Sequence, residues 1–201
     1  MTVTSLVLAG VGGQGTLLTS RLLAAGLIAL GHEVKVSEIH GMSQRGGSVV
    51  TQVRFGPRVY APHLGPGEAD GLVAFEPAEA LRHLSFLKPG GFLITDDQQI
   101  PPLPVAAGQA EYPPGVIEEL RRLAPGAKVI SAGRLAREMG HPRGQNIVLL
   151  GALIRHLGLD GLDWPALMAE EGPARARDLN LKALAMGLAL PDESGLRPEP
   201  V

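Results

Sequence analysis

The sequence predicts an α/β fold, a doubly wound three-layer α/β/α arrangement around a mainly parallel sheet. Three observations lead to this prediction. Short apolar runs typical of buried parallel strands recur along the chain, among them residues 6–8 and 92–95. Segments with a helical apolar pattern follow these runs. Glycine and proline mark the connections between them, as at residues 88–91.

The composition indicates one domain with a substantial core. The 201 residues include 45% hydrophobic side chains, and no charge run or low-complexity segment divides them. We therefore expect a single domain over residues 1–190, which ends in a C-terminal helical tail. Residues 191–201 are polar and rich in proline, so we expect them to form a flexible C-terminal tail.

Charge and residue composition exclude several classes of function. A net charge of −2 and 3% aromatic residues provide neither the basic surface nor the stacking platforms of a nucleic-acid-binding protein. The chain contains no cysteine, which excludes disulfides, thiolate nucleophiles and iron–sulfur clusters held by its own thiolates. No apolar run is long enough to span a membrane, and no export signal precedes the first strand. We therefore expect a cytoplasmic protein.

A glycine-rich motif follows the first predicted strand. Gly10, Gly12 and Gly15 match G-x-G-x-x-G, and a helical pattern begins directly afterwards. Gly13 and Gln14 lie inside the motif. Glycine lets a ligand approach the main chain, and the first amides of the helix favour a phosphate or another anion. Alternatively, the glycines only allow the strand and the helix to cross closely.

A second strand is predicted at residues 33–39, where polar and apolar side chains alternate. We expect this strand to complete a β-α-β unit, the first half of a Rossmann-like nucleotide-binding fold. Glu38 follows the glycine motif at about the distance at which dinucleotide-binding folds place the acid that binds a ribose hydroxyl. Glu38 is equally well explained as a surface carboxylate at a strand end.

A second glycine-rich segment follows this strand, and residues 48–55 alternate again as in a strand. Both glycine-rich loops then leave the sheet at the carboxyl ends of strands, where ligands bind in open α/β folds. We predict that the second segment completes an anion site, with Arg45 donating a planar pair of hydrogen bonds. A hairpin with an exposed arginine is the alternative. The candidate residues of this segment are His40, Ser43, Gln44, Arg45, Gly46 and Gly47.

The rest of the chain continues the alternation of strands and helices. Further strands are expected at residues 70–76, 92–95 and 128–131. Helices are expected from Pro77 onward and at residues 116–123, 134–139, 146–157, 164–171 and 180–190. The helix at residues 146–157 is apolar on almost all sides, so we expect something besides the sheet, such as a partner, to cover it.

Motifs of hydrolases and of metal enzymes are not found. The histidines are scattered, no serine lies in a G-x-S-x-G elbow, and the glycine motif lacks the Lys-Ser/Thr ending of a P-loop. Asp96 and Asp97 end a predicted strand, but no third ligand is spaced to join them around a metal ion. We therefore expect neither a catalytic residue nor a metal site in this chain.

Two motifs together resemble the gamma subunit or gamma domain of 2-oxoacid:ferredoxin oxidoreductases. The first motif is GVGGQG with the long helix after it, and the second is SEIHGMSQRGGSVVTQVRFG at residues 37–56. The form HGMSQRGG within the second motif is most similar to the beta subunits of indolepyruvate ferredoxin oxidoreductases. The resemblance extends from Leu6 to about residue 190.

The resemblance implies an accessory subunit of an enzyme complex. Enzymes of this family convert a 2-oxoacid and coenzyme A to acyl-CoA and carbon dioxide, and they reduce ferredoxin through thiamine diphosphate and iron–sulfur clusters. This chain lacks cysteine and a thiamine-type motif, so the resemblance implies that a partner subunit holds both cofactors. The two glycine-rich loops are then expected either to hold the anionic part of coenzyme A or to shape the approach to the thiamine site of the partner. A homodimer or hetero-oligomer is a further expectation.

Two other functions stay open on the sequence. A stand-alone NAD(P)- or flavin-dependent dehydrogenase would use the glycine motif and Glu38, but it gives Arg45 no role. A purely structural α/β interaction subunit would bind nothing at either loop.

Overall fold

The protein is described here by a computed structural model, which covers residues 3–40, 46–171 and 174–191. Its strands are β1 (Thr4–Val11), β2 (Glu33–His40), β3 (Ser48–Gly56), β4 (Ala69–Ala74), β5 (Leu87–Asp96) and β6 (Lys128–Ile130). They form one sheet in the order β2-β3-β1-β4-β5-β6. The strands β1, β4, β5 and β6 pair in parallel with their neighbours in this order. The strand β3 runs antiparallel to both of its neighbours, β1 and β2.

Helices cover both faces of the sheet. They are α1 (Thr16–Ala29), α2 (Pro77–His83), α3 (Leu103–Ala106), α4 (Val116–Leu123), α5 (Ala132–Glu138), α6 (Gln145–Leu157), α7 (Trp164–Glu171) and α8 (Arg177–Leu188). Side chains alternate along β1, so that Leu6 and Leu8 join α1, α5, α6, α7 and α8 in one core. Val7 and Ala9 point to the other face and join α2 and α4. The predicted doubly wound α/β fold is confirmed.

The position of β2 differs from the prediction. The predicted β-α-β unit places β2 beside β1, but β3 lies between them, with Val53 opposite Leu6 on one side and Val36 on the other. The two strands of the unit run parallel with α1 between them, but they are not neighbours in the sheet, and only residues 41–47 separate β2 from β3. So short a connection suits an antiparallel hairpin, since a parallel crossover needs a dozen or more residues. Because β3 reverses direction, β1 and β2 still end at the same edge of the sheet.

The predicted turn at residues 88–91 lies within the start of β5. Pairing with β4 passes from Ala69 opposite Leu87 to Gly71 opposite Phe92, so β5 has extra residues at this point and bulges. Gly71 makes the close packing possible, because a Cβ there would lie 2.1 Å from the ring of Phe92. The predicted turn is therefore a bulge within the strand.

Helix α6 is covered by the chain itself. The sequence predicts that something besides the sheet, such as a partner, covers this helix, and in the structure α8 packs against it. Glycines allow the two helices to touch, since a Cβ on Gly151 would lie 2.5 Å from the carbonyl oxygen of Leu184. A Cβ on Gly187 would lie 2.1 Å from the carbonyl oxygen of Val148. The apolar character of α6 therefore does not require a partner.

Asp96 ends β5 inside the core and is fully buried. Its carboxylate accepts hydrogen bonds from the amides of Gly133 and Asp97, both at 2.9 Å, and from the side chain of Gln145 at 2.5 Å. Burial raises the pKa of Asp96 to about 6, and the charge of Asp97 acts in the same direction. The amide of Gly133 acts in the opposite direction but does not outweigh burial.

Residues 192–201, most of the predicted flexible tail, lie outside the described residues. Pro191 is the last residue that the structure describes.

The contact between α6 and α8 leads to a first prediction. Gly187→Ala is expected to lower the free energy of unfolding by about 2 kcal/mol, because the added methyl group forces the helices apart. Gly161→Ala is the matched control, since a Cβ at Gly161 meets nothing within 4 Å. Urea denaturation of both variants measures the difference. Equal stability of the two variants would contradict the close crossing.

The buried Asp96 leads to a prediction about pH. Its pKa is about 6 in the folded protein against 3.8 for an ordinary aspartate, so the folded state holds the proton more tightly. This stabilisation is complete below about pH 4 and is lost as the pH rises through about 6, a change of roughly 3 kcal/mol in the free energy of unfolding. Urea denaturation of the wild type and Asp96→Asn between these pH values isolates the effect. A constant difference between the two proteins would refute it.

Candidate functional site

The glycine-rich motif forms a turn between β1 and α1 at the carboxyl edge of the sheet. We call residues 11–15 the glycine turn. Gly13 and Gly15 have φ angles of 103° and 83°, in the left-handed region that glycine adopts without strain. The main-chain nitrogen of Gln14 donates to the carbonyl of Val11 at 3.1 Å, which closes the turn. The amides of residues 16–18 then open α1 and have no acceptor inside that helix.

The glycines of the motif are needed for different reasons. A Cβ on Gly10 would lie 3.1 Å from side-chain atoms of Gln14, Phe75 and Thr16. A Cβ on Gly15 would lie 2.7 Å from the side-chain nitrogen of Asn146. Packing therefore explains Gly10, whereas Gly15 needs glycine both for packing and for its positive φ. A Cβ on Gly13 meets nothing within 4 Å, so this position requires glycine for its backbone angle on an open side of the turn.

The two glycine-rich loops meet through their main chains. The nitrogen of Gly12 donates to the carbonyl of Gly47 at 2.8 Å, and the nitrogen of Gly46 donates to the carbonyl of Gly12 at 3.3 Å. These bonds continue the pairing of β1 with β3 beyond Val11 and Ser48. The structure thus brings together the two loops that the sequence analysis places at one edge.

The structure describes only one of the other candidate residues of the second loop. His40 ends β2 opposite Val49, close to the start of β3. Ser43, Gln44 and Arg45 lie outside the described residues. Their contact with an anion stays a prediction.

Gln14 is engaged inside the protein. Its side-chain oxygen accepts from the nitrogen of Val11 at 2.7 Å, and its Nε2 donates to the carbonyl of Phe75 at 2.6 Å. The main-chain nitrogen of Gln14 is also bonded, to Val11. This geometry weighs against direct contact between Gln14 and an anion. Gln14 instead supports the glycine turn from within.

Two supporting residues were missed by the sequence analysis. Gln145 and Asn146 begin α6 and are buried, although the rest of that helix is apolar. The side chain of Asn146 donates to the carbonyl of Gly15 at 3.3 Å, and that of Gln145 contacts Gln14 and Asp96. The available signal was the pair of amide side chains at the start of an otherwise apolar helix. Buried polar groups need hydrogen-bond partners, so such a pair indicates contacts with other polar groups inside the protein.

A carboxylate lies on the opposite face of the same edge. Ser48 donates to Glu79, and Nε2 of His83 lies 3.3 Å from the Ser48 oxygen and 3.5 Å from Glu79. Burial alone would raise the pKa of Glu79, but hydrogen bonds from His83 and Ser48 hold it below its usual value. Ser48 and Glu79 both lie near Nε2 of His83. In a catalytic triad the serine and the acid contact different nitrogens of the histidine ring, so these three residues do not form one. Arg82 also donates to Glu79 at 3.1 Å, so this carboxylate is already paired within the protein.

Glu38 is not placed as in a dinucleotide-binding fold. It is exposed on β2, opposite Thr51, and β3 separates it from β1. Neighbouring strands lie about 5 Å apart, so Glu38 is one strand too far from the glycine turn. This geometry weighs against the dehydrogenase alternative.

The described part of the chain offers neither a metal site nor a membrane-spanning helix. Within residues 3–40, 46–171 and 174–191, no group of three or more histidine and acidic side chains could hold a metal ion. No helix among these residues is long and apolar enough to cross a membrane.

Related proteins match the chain over nearly its whole length. The family profile described as pyruvate ferredoxin/flavodoxin oxidoreductase matches residues 5–190. Indolepyruvate oxidoreductase subunit IorB of Pyrococcus horikoshii is 40% identical over 191 residues, which covers 92% of this chain and 94% of that protein.

Solved structures share the fold. A keto/oxoacid ferredoxin oxidoreductase gamma subunit from Geobacter sulfurreducens has a TM-score of 0.65 and 22% identity, over 92% of this chain and 95% of its own. A 2-oxoglutarate:ferredoxin oxidoreductase from Magnetococcus marinus, solved with 2-oxoglutarate, coenzyme A and succinyl-CoA bound, has a TM-score of 0.70 and 22% identity. That match covers 98% of this chain and 33% of the larger one. The family that the two sequence motifs predicted is confirmed: the chain belongs to the pyruvate ferredoxin/flavodoxin oxidoreductases.

Proposed function

We propose that this chain is the small accessory subunit of a 2-oxoacid:ferredoxin oxidoreductase whose substrate is of the indolepyruvate type. The identity with IorB supports this substrate class. In the reaction, the 2-oxoacid loses carbon dioxide and its acyl group is transferred to the thiol of coenzyme A. Two electrons pass to ferredoxin, and one proton is released.

The redox chemistry belongs to a partner subunit in this proposal. Iron–sulfur clusters require thiolate ligands, and the chain has no cysteine, so clusters do not fit this subunit. Thiamine diphosphate is likewise assigned to the partner. This chain contributes a surface beside the reaction rather than a group that reacts.

The junction of the two glycine-rich loops is the observation that carries the binding role. We propose that an anionic part of coenzyme A binds where Gly12 joins Gly46 and Gly47, against the first turn of α1. The helix has 14 residues and no acidic side chain in its first turn, so its amides and dipole favour an anion. Arg45, directly before this junction in the sequence, is proposed to add a charged hydrogen-bond pair.

A structural subunit is the second candidate. Packing accounts for Gly10, and packing together with a positive φ accounts for Gly15. The strands β2 and β3 form the hairpin that the alternative interpretation of the second loop requires. In this alternative the junction only joins two loops, and no anion binds there.

We also propose that the subunit works in a homodimer or hetero-oligomer, in the cytoplasm. Apolar side chains at the end of α1 and on the outermost strand support association: Ile28 is 59% exposed and Ile39 is 51% exposed.

The accessory role leads to a prediction about activity. The purified chain alone should not reduce ferredoxin or a viologen dye with indolepyruvate and coenzyme A, because it holds no redox group. Co-expression with the partner subunit should restore turnover. Dye reduction by this chain alone would refute the accessory role.

The anion site leads to a prediction about charge in the first turn of α1. Leu17 is 38% exposed there, so Leu17→Glu should fold normally and place a carboxylate beside the free amides. In the assembled complex we expect this variant to raise the coenzyme A concentration for half-maximal rate about fivefold or more. Leu17→Gln, which has the same shape without the charge, should not.

Two further measurements distinguish the coenzyme A site from the structural-subunit alternative. Decarboxylation of the 2-oxoacid without coenzyme A should stay unchanged in both Leu17 variants. Arg45→Gln should raise the coenzyme A requirement as Leu17→Glu does. If both Leu17 variants and Arg45→Gln behave as the wild type, the structural-subunit alternative is favoured.

A further inference from the structure

A chain of hydrogen bonds runs beneath the glycine turn, across the carboxyl ends of β1, β4 and β5. It passes from the main-chain nitrogen of Val11 to Gln14, from Gln14 to Gln145, and from Gln145 to Asp96. The carbonyl of Phe75, just beyond β4, accepts from both glutamines at 2.6 Å. We call these groups the amide relay.

The first end of the amide relay fixes the orientation of Gln14. The nitrogen of Val11 can only donate, so the oxygen of the Gln14 side chain faces it at 2.7 Å. Nε2 of Gln14 then points the other way. It donates to Phe75 and lies 3.4 Å from the side-chain oxygen of Gln145.

The second end fixes the orientation of Gln145. A charged Asp96 can only accept hydrogen bonds, and the amides of Gly133 and Asp97 hold its carboxylate in place. Nε2 of Gln145 therefore faces Asp96, at 2.5 Å, and its oxygen faces Gln14. Only one orientation of each glutamine satisfies every group.

Burial gives this arrangement its energetic weight. Asp96 is fully buried, and Gln145 is 7% exposed. Water does not easily replace a hydrogen bond lost at such positions, so a missing partner leaves an unsatisfied group. The glycine turn, in contrast, lies at the edge of the sheet, where Gln14 joins it to the amide relay.

We propose that Gln145 is a positioning residue, which holds the glycine turn in its ligand-accepting shape by acting through Gln14. Asp96 orients Gln145 in turn. That coenzyme A binds at this turn rests on the proposed function. That Gln145 supports the shape of the turn does not rest on it. Asn146, the next residue of α6, bonds to the carbonyl of Gly15 and supports the end of the same turn.

The test uses methionine variants, because methionine is unbranched, close to glutamine in size, and lacks the amide. Gln145→Met breaks the relay in its middle, and Gln14→Met removes its contact with the turn. Gln52→Met is the matched control. Gln52 is also buried, but it accepts from the nitrogen of Leu64 at 3.0 Å on the opposite face of the sheet.

Amide hydrogen exchange of the full chain, without ligand, is the first measurement. In Gln145→Met, the segment spanning residues 11–18 should exchange about tenfold faster or more, and Gln52→Met should leave it unchanged. Gln14→Met alone should accelerate it as well. In the double variant, Gln145→Met should add little to Gln14→Met, because a residue that acts through another loses its effect when that residue is gone.

The coenzyme A requirement of the assembled complex is the second measurement. Gln145→Met should raise the concentration for half-maximal rate several-fold and leave kcat nearly unchanged, with Gln52→Met again as control. Unchanged exchange in Gln145→Met, or additive effects in the double variant, would overturn the positioning role. Faster exchange with an unchanged coenzyme A requirement would support the positioning role and overturn the proposed binding site instead.

Discussion

Two main-chain hydrogen bonds between Gly12 and the Gly46–Gly47 segment are the constraint on which the candidate site depends. They exist because β3 is inserted beside β1 and runs against it, so that the loop before β3 meets the loop after β1. If β3 ran parallel to β1, its start would lie at the opposite edge of the sheet from the loop after β1. The single reversed strand thus brings two distant glycine-rich segments together through main-chain hydrogen bonds.

The sequence predicted the general architecture well, because apolar runs and glycine breaks reflect burial directly. It failed where pairing order matters. Alternation at residues 33–39 identifies β2, but the pattern of one strand does not reveal its neighbour. The length of the connection at residues 41–47 was the physical clue. Likewise, the apolar character of α6 predicted burial correctly but did not reveal that α8 covers it through the crossing of Gly151 and Gly187.

The candidate site was only partly predictable for a related reason. Residue type showed that the glycine motif could approach a ligand, but not which glycines serve packing. Gly15 faces Asn146, a residue far along the chain, and no local pattern records such a contact. Gln14 is a residue type that often contacts ligands, but its side chain bonds to Val11 and Phe75 and so supports the turn instead. Donor and acceptor directions become visible only when distant groups are placed together.

The outermost position of β2 has a consequence for assembly. One ribbon, the β2–β3 hairpin, carries the free edge of the sheet along one side and the second glycine-rich loop at its tip. Another chain that added a strand to this edge would therefore stiffen the ribbon as a whole. Quaternary contacts at β2 would then reach, through β3, the main-chain bonds of Gly46 and Gly47 to Gly12.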